Sequence, residues 1–162
     1  MKPFNFAALF IAFMALASAC ASQSAATQAK SDDETVVGPP QVSWKNMTKK
    51  QKGKFMEKVV VPKMEPLFQA FKPDDYKTFD CKTCHGKGAD DETFKMPNPD
   101  IEALPKSQEG WAKLKEHHPD WLKFMGEEVK PKMAALLGLP EFNPKDPQPG
   151  TLGCSACHTT EK

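Results

Sequence analysis

The chain has 162 residues, room for one modest domain, and carries 22 basic against 21 acidic residues, a formal net charge of +1. Every basic residue is a lysine, so the bidentate recognition of phosphates and bases is poorly served and nucleic acid is not an expected partner. Fifteen prolines, a single tyrosine and few β-branched runs beyond the valines at 59–61 argue for an all-α, loop-rich fold.

In chain order, residues 1–19 read as a secretory signal peptide: one lysine, an apolar run from Phe4 to Leu16, then small residues. The stretch "LASAC" places Cys20 where a bacterial lipobox would acylate it, which predicts a lipid anchor. Residues 20–43 are small, polar and interrupted by proline, the composition of a flexible tether. The folded part is expected over residues 44–162. Thr48 with Gln51 three positions on predicts a capped helix start.

An internal repeat then appears. Residues 54–64, "KFMEKVVVPKM", and 123–133, "KFMGEEVKPKM", agree at seven of eleven positions with a constant offset of 69. Each copy runs toward a Cys-x-x-Cys-His motif, the first made of Cys81, Cys84 and His85, the second of Cys154, Cys157 and His158. In an exported chain this motif is the attachment signal of c-type haem, the two thiols bonding the porphyrin as thioethers and the histidine approaching the iron. Two haems c are therefore expected, one per repeat. A four-cysteine zinc site, a thioredoxin-like redox pair and plain disulfides are the rival readings. None of them needs a histidine repeated at the same place.

Because only four residues follow His158, the distal ligand of the second haem has to lie upstream, and the repeat transfers that rule to the first. Met64 and Met133 are the favoured pair; each follows a proline, Pro62 or Pro131, that suits the start of a helix. Met56 and Met125 are the alternative pair. Eight residues at about 100° each set the two choices about 80° apart, so one of each pair is expected to face its iron. Met96, in a Met-Pro loop, and His117 with His118 are further candidates.

A helix carrying a methionine, a loop and then Cys-x-x-Cys-His resembles the repeating unit of the multihaem cytochrome subunit of bacterial photosynthetic reaction centres. The resemblance spans about residues 47–86 and 120–158 and implies methionine–histidine ligation. With two motifs, the chain is similar to a dihaem cytochrome c lipoprotein. The expected role is that of an electron carrier and not an enzyme, exported to the periplasm and anchored to a membrane, exchanging electrons with redox partner proteins. A haem enzyme or sensor with one open iron site is the alternative. Between Lys45 and Lys63 lie seven lysines and one acid, a solvated face or a steering surface for an acidic partner.

Overall fold

The computed structural model describes residues 36–162; the signal segment, Cys20 and the tether through residue 35 lie outside them. Among the described residues the chain is mostly helical with no strands, and its only extended pairings are isolated bridges. No described helix is long and apolar enough to cross a membrane.

After a short 3-10 turn at Trp44–Asn46, helix α1 (Lys49–Phe55) starts at the expected place. The Thr48 hydroxyl accepts from the Gln51 N–H, and the Gln51 side chain accepts in return from the Thr48 N–H at 2.8 Å. The helix continues through a π-helical turn, Met56–Val60, into α2 (Val61–Phe71). The second copy repeats this succession: α6 (Pro119–Phe124), a π turn at Met125–Val129, then α7 (Lys130–Leu137).

The prolines explain both π turns. A proline has no N–H to return to the carbonyl four residues back, and its ring presses on that carbonyl. The turn ahead of it widens: Val61 N–H bonds the Met56 carbonyl, and Lys130 N–H bonds the Met125 carbonyl, each five residues back. Pro62 and Pro131 thus occupy the second positions of α2 and α7 as helix-start residues, but in a helix that has not stopped.

The two copies meet along an aromatic seam. Phe71 of α2 stacks on Phe124 of α6 at 4.2 Å and 9°, Phe68 meets the edge of Phe124 at 5.0 Å, and Trp121 stands edge-on to Phe71 at 4.8 Å. Phe68 also touches Tyr76 and Phe79, at 4.9 and 5.0 Å. The seam belongs to a core that includes Met47, Phe55, Val60, Met64, Ala134, Leu137 and Leu152. Ahead of the first helix, the backbone of Gly38 lies flat against the Phe55 ring, Pro39 abuts Gly138 and Val42 packs on the core.

Two short helices follow the first copy, α3 (Cys81–His85) and α4 (Lys87–Asp90), and α5 (Gln108–His117) precedes the second. Phe124 joins both copies, so its replacement by alanine should destabilise the fold by about 3–5 kcal/mol. Urea titration followed by circular dichroism measures this. A loss under about 1 kcal/mol would mean that the copies are held together elsewhere.

Candidate functional site

Each Cys-x-x-Cys-His motif is fastened to the core by a buried apolar side chain two residues ahead of it, Phe79 before Cys81 and Leu152 before Cys154. Leu152 is fixed further by its N–H to the Pro140 carbonyl at 2.8 Å and by accepting from Phe142 N–H at 2.9 Å.

The first motif is the whole of α3. Asp80 caps it, accepting from the Lys82 N–H at 2.8 Å, while the Thr83 hydroxyl accepts from the Asp80 N–H at 3.2 Å. Gly86 ends it at φ 54°, ψ −135°, a conformation for glycine alone. A Cβ there would also stand 2.6 Å from Asp100 Oδ2. The second motif makes only a 3-10 turn, Cys154–Ala156. Gly153 and Ala156 stand where the first copy has Asp80 and Thr83, so neither half of the cap exists. The Phe142 side chain approaches within 3.1 Å of where a Gly153 Cβ would be, which crowds any capping residue.

Both motifs converge on Asn98, which is fully buried. Its side-chain amide donates to the Cys84 carbonyl at 3.0 Å, and its backbone N–H donates to the Cys157 carbonyl at 2.8 Å. Two hydrogen bonds radiating from one residue hold these carbonyls within about 10 Å of each other. Sequence reasoning passed over Asn98, since a lone asparagine in a proline-rich loop carries no periodicity and no motif.

The donor set suits covalent haem. All four motif cysteines are unpaired, with Cys84 and Cys157 half-buried. Burial, followed by the neighbouring Cys157, Cys81 and Asp80, pushes the Cys84 thiol up to about 12. His158 Nδ1 lies 2.9 Å from the Glu102 carbonyl, a bond it makes as a donor, which leaves Nε2 as the free ligating nitrogen. His85 Nδ1 is buried without a hydrogen-bond partner. Burial lowers the His85 pKa below its ordinary value, opposed in part by the Phe94 backbone. The Phe94 ring stands edge-on to His85 at 5.5 Å, held at φ 49°, a left-handed conformation rare for an aromatic residue. Among the described residues, no three His, Cys, Asp or Glu side chains group so as to hold a metal ion by themselves.

The methionines correct one expectation. Met64 is 2% exposed and Met133 is half-buried, yet Met56 and Met125 pack on the same core. The π turn between the members of each pair absorbs about one residue, so eight residues turn like seven and the pair falls about 20° apart. One face therefore carries both, and Cys84 and Ala156 of the two motifs back onto that core. Met96 is half-buried two residues ahead of Asn98, whereas exposed His117 and His118 line a surface hollow with Phe71, Lys72 and Trp121, apart from either motif. Cys20 lies outside the described residues.

Compared with models of known protein families, with curated proteins and with solved structures, the chain matches none.

Gly86→Ala should cost about 1–3 kcal/mol and loosen the first motif. Gly53→Ala, in mid-helix with nothing within 4 Å of the added Cβ, should gain about 0.5–1 kcal/mol. Thermal melts of the two variants give the comparison, and equal effects would show that Gly86 is not under this constraint.

Proposed function

We propose that the chain is an exported dihaem c-type cytochrome that carries electrons, anchored to a bacterial membrane by a lipid on Cys20. The observation that carries this reading is the convergence of two Cys-x-x-Cys-His motifs, with unpaired thiols, on one buried asparagine beside a methionine-bearing core. The resemblance of residues 47–86 and 120–158 to reaction-centre cytochrome units, which rests on the same motifs, points the same way.

In this reading Cys81 and Cys84 hold one haem and Cys154 and Cys157 the other. Bound haem supplies reversible one-electron carriage at its iron. His85 and His158 ligate from the motif side, and Met64 and Met133 from the helices of the repeat. The Glu102 carbonyl fixes the orientation and tautomer of His158. With His85 and Met64 holding one haem and His158 and Met133 the other, the bound groups would supply electron carriage rather than a site for a substrate. Methionine opposite histidine sets a higher potential than two histidines would. Exposed lysines among residues 45–63 give an acidic redox protein a surface to meet.

The first experiment is intact mass of the full chain exported in a host that matures c-type cytochromes. Two added haems that survive denaturation are expected, and a colourless chain beside a coloured control cytochrome would refute the proposal. In the coloured protein, Met64→Ala or Met133→Ala should open one iron to carbon monoxide, which the parent binds hardly at all. If Met56→Ala and Met125→Ala open the sites instead, the ligands are the pair within the π turns. A parent that binds carbon monoxide at once has an open iron and belongs with haem enzymes or sensors.

A further inference from the structure

Residues 98–104 form no helix, yet they are tied to both motifs more closely than the motifs are tied to each other. On the first-motif side, Asn98 Nδ2 donates to the Cys84 carbonyl at 3.0 Å and the Asp100 carboxylate accepts from Lys87 N–H at 2.8 Å. On the second-motif side, Asn98 N–H donates to the Cys157 carbonyl at 2.8 Å and the Glu102 carbonyl receives His158 Nδ1 at 2.9 Å. Leu104 N–H then donates to Thr159 at 2.7 Å and its carbonyl accepts from Glu161 at 3.0 Å.

We propose that this segment is a splint that fixes the spacing of the two motifs, with Asn98 as the positioning residue that sets how strongly two bound haems sense each other. The proposal rests on the haem reading above for its redox consequence. Its structural half stands without haem.

Asparagine suits the place because the bridge needs two donors and an acceptor from one small, buried side group and its backbone. Its Oδ1 accepts from Asp100 N–H at 2.8 Å, so the amide is engaged at both ends while wholly excluded from water. An apolar side chain of similar shape would leave the Cys84 carbonyl and the Asp100 N–H without these part-buried partners, at a cost to the fold. The Gly86 Cα also needs this closeness, since a Cβ on it would stand 3.1 Å from Asn98 Nδ2. The splint, the first motif and its terminating glycine are thus one fitted set. The interaction between two charged centres falls with their separation. A joint that fixes the separation therefore also fixes the interaction.

The test uses the full matured chain, its Asn98→Ala variant and its Asn98→Asp variant, in which an oxygen replaces the donor facing the Cys84 carbonyl. Three readouts are taken: haems per chain by mass, spin–spin broadening between the ferric irons by electron paramagnetic resonance, and hydrogen exchange at the Asn98 and Leu104 amides. The parent should carry two haems, show broadening and exchange slowly at both amides. Asn98→Ala should keep two haems, lose most of the broadening and exchange about tenfold faster at both amides, with Asn98→Asp larger in the same direction. Two haems with unchanged broadening and exchange would overturn the role of Asn98. A parent without haem would overturn the haem reading alone, and the exchange comparison would still decide the splint. If neither variant folds, the parent decides: amides at 98 and 104 exchanging as freely as an unprotected loop refute the splint, and slow exchange at both upholds it.

Discussion

The stacking of Phe71 on Phe124 is the contact on which the remaining geometry hangs. Each ring comes from a different copy of the repeat, and neither copy encloses a core alone. Once joined, the copies bury Phe68, Phe79 and Phe124 together, where aromatic pairs add to the gain from area burial. Phe79 is also the last fixed point before the first motif, and Leu152 serves the second in the same core. The seam thus places the chemistry-bearing residues together with their own hydrogen bonds to residues 98–104.

Repetition of the helices does not extend to the motifs. Asp80 and Thr83 make α3 a true capped helix, whereas Gly153 and Ala156 leave a single tight turn. The imidazoles diverge too, since His158 Nδ1 meets the Glu102 carbonyl while His85 lies against the ring and backbone of Phe94. Two haems held here would therefore sit in unlike electrostatic settings despite a shared motif.

What was legible in the sequence came from short-range pattern. The Thr48–Gln51 cap, the helical class and the register of the repeat all depend on residues within one or two turns, and all appear as read. What was illegible depends on distance along the chain. Asn98 acts on Cys84 and Cys157, fourteen residues behind and fifty-nine ahead in the numbering, and no local signal marks it. Gly38, Pro39 and Val42 read as tether because glycine and proline break periodicity. The same glycine, lacking a side chain, is what lets the backbone lie against Phe55.

The methionines show how a local rule fails for a local reason. Counting 100° per residue assumes an unbroken α-helix, and on that count Met56 and Met64 diverge. The prolines that mark the repeat also widen the turn, and the widened turn brings each pair back to one face. Orientation thus stops separating the candidates and depth takes over: Met64 is enclosed while Met56 retains contact with solvent. Depth separates the pair in the first copy alone, since Met125 and Met133 are both half-buried.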